Sequence, residues 1–133
     1  MKNVEKGKLA IRMDEFHNPT VIFKMTENTV WMNKNELCEL FDVYMPEIES
    51  CLDTIFKKSI LHLEKVCKYH MVVKGCKIVY DITEVNLAVI VAMAFHLNCP
   101  NARILREWII ERFLKNEKFL FPDLSTGYGY SLN

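Results

Sequence analysis

The stretch Thr29–Lys58, TVWMNKNELCELFDVYMPEIESCLDTIFKK, decides the fold. It opens as a short strand and continues as two amphipathic helices joined by a tight turn. Asn33 is a good helix N-cap, and Glu36 stands three residues later, where its carboxylate can return the hydrogen bond. Leu37, Leu40 and Phe41 then give one apolar face, with Cys38 beside it. Asp42-Val43 supplies the turn, and Pro46 suits the first turn of a second helix, where its missing N–H costs nothing. Ile48, Cys51, Leu52, Ile55 and Phe56 follow at helical spacing. Two short amphipathic helices with a tight turn between them form a helix-turn-helix pattern. Its second helix, however, carries Glu47, Glu49 and Asp53 where a base-reading helix usually presents Arg, Lys, Asn or Gln.

Upstream, Leu9–Met13 and Thr20–Met25 alternate in the manner of strands, with a turn at Asn18-Pro19. A second turn at Glu27-Asn28 leads into a strand over Thr29–Met32, so a small antiparallel sheet precedes the first helix. Downstream, a linker through Ser59–Glu64 leads to a β-hairpin over Val66–Asp81, with its turn at Lys74-Gly75 and β-branched and aromatic residues in both arms. A hairpin directly after a helix-turn-helix is what a wing looks like. Thr83–Leu97 is apolar nearly all round and predicts a buried helix. Pro100 breaks it, and a last helix from about Asn101 to Lys118 sets Ile104, Leu105, Trp108, Ile109 and Phe113 on one face. The expected architecture is α+β: a small N-terminal antiparallel sheet, a winged helix-turn-helix-like core with a β-hairpin, then a buried helix and a C-terminal helix. Residues 1–118 form one domain and 119–133 an irregular tail.

With 133 residues, half of them apolar, and a formal net charge of zero, the chain reads as one soluble domain with no global pull toward nucleic acid or membrane. The apolar run at 83–97 is too short for a bilayer, which takes about 20 apolar residues. Cys38, Cys51, Cys67, Cys76 and Cys99 are odd in number and form no CxxC pair. With no apolar signal run at the N-terminus, they predict free, buried thiols in a cytoplasmic protein.

Residues 9–118 resemble the RhuM-like family of bacterial proteins. The resemblance is carried by VWMNKNELCELF at Val30–Phe41, its ungapped continuation to Ile55-Phe56, Tyr80-Asp81 before the buried helix, and LREWI at Leu105–Ile109. In the family these segments read approximately as VWLTQAQMAELF, a helix ending in IF, a YNLD-type entry and FRxWA. The resemblance implies a DNA-binding or DNA-associated protein, often encoded on pathogenicity islands and mobile elements, and Arg106 matches the family motif. The departures lie in outer polar positions. Met45, Pro46 and Glu47 stand where the family tends to carry Arg, Gln and Asn, Asp53 replaces a basic residue, and Ala94-Phe95-His96 replaces Gly-Tyr-Arg.

Charge is sharply partitioned along the chain. From Asn33 to Asp53 there is one cation (Lys34) against six anions (Glu36, Glu39, Asp42, Glu47, Glu49, Asp53), a net of −5. From Thr54 to Tyr80 there are six lysines (57, 58, 65, 68, 74, 77) against Glu64, a net of +5. An acidic helix in a groove opposes a duplex that carries one phosphate charge per roughly 1.7 Å of axis. These acids read equally as a solvated face, Glu47 and Glu49 being favourable near a helix N-terminus. Phosphate contact is therefore expected from Lys68, Lys74 and Lys77 in the hairpin, supported by Lys57 and Lys58, with Arg103 and Arg106 on the last helix. The same lysines would also protect an edge hairpin from aggregation, and Arg106 is as readily paired with Glu107, Glu111 or a helix end.

Other chemistry finds no constellation. Cys67, His70 and Cys76, with His62 nearby, invite a metal reading, but Cys67 and His70 would point to opposite faces of a strand and a fourth ligand is missing. Four glycines leave no phosphate-cradling loop, and His96 with Cys99 does not make a catalytic pair. No cofactor, metal or enzymatic activity is expected. The function expected is a DNA-binding regulator from a bacterial mobile element, with double-stranded DNA as partner. A homodimer would read half-sites about one helical turn apart. The alternative is a protein-interaction module in which Glu47, Glu49 and Asp53, or the tail aromatics Phe119, Phe121, Tyr128 and Tyr130, engage a protein partner.

Overall fold

The computed structural model describes residues 6–58 and 61–114. Their order is β1 (Lys8–Met13), β2 (Pro19–Lys24), β3 (Met32–Asn33), α1 (Lys34–Phe41), α2 (Met45–Lys57), α3 (Leu63–Val66), β4 (Cys67–Lys74), β5 (Lys77–Val85), α4 (Leu87–His96) and α5 (Pro100–Leu114). The architecture is mixed α+β, with β1 and β2 pairing in one antiparallel sheet and β3–β5–β4 forming a second. The helices and the inner ends of the strands enclose one core.

Local signals set the two central helices. The Asn33 side chain accepts from the Glu36 N–H at 2.8 Å, and the Glu36 carboxylate accepts from the Asn33 N–H at 2.8 Å. Two orphan donors of α1 are thereby satisfied at once. At its other end Asp42 adopts φ +55°, and the Val43 N–H returns 3.2 Å to the Cys38 carbonyl, closing the helix sharply. Pro46 occupies the first turn of α2, and the Glu47 carboxylate accepts from the Tyr44 N–H at 3.2 Å. The α2 stripe of Ile48, Cys51, Leu52 and Ile55 is buried against α1 and α4. Each of the larger of these side chains contributes about 1.5–3 kcal/mol relative to exposure.

Four boundaries differ from the sequence reading, each for a physical reason. The strand expected over Thr29–Met32 is confined to Met32–Asn33, because Thr29 closes the preceding turn with Thr26. The linker expected at 59–64 contains the start of the short helix α3. The hairpin continues to Val85, since β5 is the middle strand and pairs on both sides, Met32 opposite Val85 and Lys68 opposite Glu84. The buried helix therefore begins at Leu87 rather than Thr83, and Asn86 is its cap, accepting from the Ala88 and Val89 N–H groups. The last helix starts at Pro100. Its expected end at Lys118, the Phe113 side chain and the tail 119–133 lie outside the described residues.

The N-terminal hairpin is fastened at both ends. Gly7 sits at φ +76°, where an added Cβ would lie 2.7 Å from the Lys24 carbonyl, so only glycine fits. On the far side Phe23 of β2 meets Trp108 of α5 edge-on at 5.2 Å, and the Arg112 guanidinium lies 5.3 Å from both rings. Two helix ends are closed by side chains of α5. The Asn101 amide donates to the Leu40 carbonyl at 2.8 Å, and Arg106 donates to the carbonyls of Ala94 and Leu97, each at 2.8 Å.

Glu84 ties these parts together. Its carboxylate lies 2.7 Å from Lys6 and 3.2 Å from Lys68, and Lys6 also reaches Glu36 at 2.8 Å. Burial pushes the Glu84 carboxyl up, but hydrogen bonds from Lys6 and Lys68 and their charges outweigh it and hold the group below the usual carboxylate range. Glu84→Gln is expected to cost about 2 kcal/mol at neutral pH. A lowered carboxyl stabilises the fold above its ordinary range and loses that contribution as pH falls through its lowered value. In urea melts the gap between wild type and variant should therefore close below about pH 4.

Candidate nucleic-acid interface

Beyond Tyr69 and Ile82 the β4–β5 hairpin projects from the body. Gly75 at φ +65° is the first of two turn residues, the position that a two-residue hairpin turn of right-handed twist assigns to glycine. The register sorts the arms into two rows. His70, Val72 and Lys74 stand opposite Asp81, Val79 and Lys77, and Tyr69, Met71 and Val73 stand opposite Ile82, Tyr80 and Ile78. The hairpin faces α2 across a cleft of about 520 Å³, lined by Lys34, Glu49, Leu52 and Asp53 on one side and, on the other, by Val72, Lys74, Val79 and Asp81 of the first row with Tyr80 and Ile82 of the second. The α2 acids and the hairpin-tip lysine Lys74 thus share one surface.

The seven cations expected at DNA divide into two groups. Lys57 and Lys58 at the end of α2, and Lys74 and Lys77 at the hairpin tip, are exposed and make no ion pair among the described residues. The other three are engaged within the fold. Lys68 pairs with Glu84 and lies 4.6 Å from the Trp31 ring centroid. Arg103 pairs with Glu107 one helical turn along, and Arg106 is half-buried as the cap of α4. Arg106 is thereby turned inward, whereas Lys68 and Arg103 stay exposed beside their carboxylate partners. Among the acids, Glu47 caps α2, Glu49 lies 3.4 Å from Lys34, and Asp53 is exposed on the cleft. Sequence reasoning missed the Lys6–Glu84–Lys68 cluster. Its one visible signal is a lone carboxylate in the otherwise uncharged segment Ile82–Val85.

The thiols sort by burial. Cys67 is pushed up to about 12 by burial, and Cys51 to about 11 by burial and the nearby Cys99. Cys67 begins β4 and Cys76 sits in the turn at its end, which separates them by roughly 20 Å of strand. Among the described residues no three His, Cys, Asp or Glu side chains group closely enough to hold a metal ion. No described helix is long and apolar enough to cross a membrane. No family model, curated protein or solved structure matches the chain.

Two outcomes follow for solution experiments. Arg106→Met keeps the aliphatic stem but frees two carbonyls, and is expected to cost about 2 kcal/mol in chemical denaturation. It should leave any DNA affinity unchanged. In native protein near pH 8, Cys76 should react first with an aromatic disulfide reagent, while Cys51 and Cys67 stay unreactive until denaturant is added. Cys76→Ser should remove the fast phase.

Proposed function

We propose that this chain is a DNA-binding module of the winged helix-turn-helix type that holds the phosphate backbone through its hairpin tip. The observation that carries the reading is the pair Lys74 and Lys77, exposed and without ion-pair partners among the described residues, at the tip of the hairpin that borders the cleft against α2. The order β3–α1–α2–α3–β4–β5, with the first of these strands laid along the hairpin as β3–β5–β4, supports it. So does the resemblance to RhuM-like proteins, which implies association with DNA and carriage on bacterial mobile elements; a regulatory role fits that reading, and the free thiols suit a cytoplasmic location. Lys57 and Lys58 extend the contact along the end of α2. The acidic outer face of α2 makes base readout weak, so the contact is mainly electrostatic and low in sequence specificity.

A second reading has its own observation. Glu39, Asp42, Glu47, Glu49 and Asp53 are all exposed around α1 and α2, and Tyr44 between the helices is 83% exposed. This acidic surface with an aromatic at its centre suits a basic protein partner.

Fluorescence anisotropy with duplex DNA over a salt series separates the two. The DNA reading expects log K to fall with log salt at a slope of about −3 to −4 for four lysine contacts, and Lys74→Glu/Lys77→Glu to flatten it by about 2. Absence of binding at low salt overturns it. Recovery of a basic protein that is lost with Glu47→Lys/Glu49→Lys would favour the second reading.

A further inference from the structure

The second row of the hairpin has a different character. Met71 is 66% exposed, Val73 70%, Ile78 66% and Tyr80 53%, with Tyr69 and Ile82 half-buried at the base. No charged side chain interrupts these six residues, and Tyr69 packs edge-on against Tyr80 at 5.3 Å. By its register this row lies on the other face of the hairpin from Lys74 and Lys77, and only its inner members Tyr80 and Ile82 also border the cleft against α2. The outer half of the hairpin is only two strands, and a two-stranded hairpin alone is marginal in water.

We propose that this apolar row is the interface by which two copies of the chain pack face to face about a two-fold axis. The exposed side chains present on the order of 500 Å² per copy, at the upper end of what a monomer leaves open. Two copies would bury roughly 1,000 Å², the size at which a specific interface begins. An uncharged row has nothing to offer a charged partner, whereas a second identical row is complementary in chemistry and in strand spacing. Two hairpins stacked about 10 Å apart would form a small two-layer sandwich, supplying the second layer that each hairpin lacks. Lys74 and Lys77 project from the opposite row, so the dimer leaves both tips open to phosphate.

The inference does not rest on DNA binding and is tested without DNA. Sedimentation equilibrium of the full chain from micromolar to sub-millimolar concentration should show a species of twice 15.7 kDa. Val73→Lys/Ile78→Lys changes two exposed residues, so it should keep the wild-type circular dichroism while weakening association about 100-fold or more through like-charge opposition. Lys74→Glu/Lys77→Glu should leave the dimer intact, which separates failure of this interface from failure of the DNA reading. A monomer at all concentrations overturns the proposal, as does a dimer indifferent to Val73→Lys/Ile78→Lys. A monomeric wild type whose apolar row is covered by residues 115–133 would give the first of these results, and deleting that segment would then expose the row to a hydrophobic dye.

Discussion

Glu84 stands in the middle strand of the three-stranded sheet, and its carboxylate is where the distant parts of the chain meet. Lys6 arrives from the N-terminal segment and Lys68 from β4, while β3 pairs alongside through Asn33. Asn33 is at once the strand residue opposite Glu84 and the N-cap of α1, and Glu36, its capping partner, shares Lys6. The position of α1 and α2 relative to the hairpin is therefore set by a few charge-assisted hydrogen bonds at one partly buried point. Such a cluster is costly to desolvate and stabilises only when every member is paired. Here each carboxylate has at least one lysine and each lysine at least one carboxylate.

That constraint explains the division of the lysines. Lys68 lies at the base of the hairpin, within reach of Glu84 and Trp31, and is committed to the fold. Lys74 and Lys77 flank the turn, too far along the strands to reach the cluster, and no carboxylate among the described residues pairs with them. A bulge between Lys68 and Tyr69 marks the change. Thr83 is the extra residue there, and its hydroxyl donates to the Lys68 carbonyl. Bulges sharpen strand twist, so the outer hairpin can diverge from the plane of the inner sheet.

Most of the fold was legible in the sequence because its signals are local. Asn33 with Glu36, Pro46 at the start of α2, and the i, i+3, i+4 stripe from Ile48 to Ile55 each specify structure within one or two turns. The errors arose where a distant strand decided. Thr83–Val85 read as helix because they are contiguous with the apolar run of α4, and only pairing with β3 and β4 makes them strand. Asn86, which lies inside the expected helix, is the cap that begins the observed one. The candidate site was less legible. That lysines crowd the hairpin was plain, but which of them are free depends on Glu84, a residue near the end of β5 whose partners lie 16 and 78 positions away. Arg106 was ambiguous for the same reason, since its acceptors belong to the preceding helix.

The acidity of α2 then takes on a different meaning. Glu47 caps the helix it belongs to, and Glu49 pairs with Lys34 at the start of α1. At two of the three acidic positions of α2 the carboxylate already has a task within the α1–α2 pair. A basic residue at Glu47 would leave the Tyr44 N–H without that acceptor and place a cation at the positive end of the helix, both unfavourable. Helix stability therefore sets the residue at this first turn. Charge that could contact phosphate is found instead where it costs the fold nothing, at the end of α2 and at a hairpin tip held away from the core.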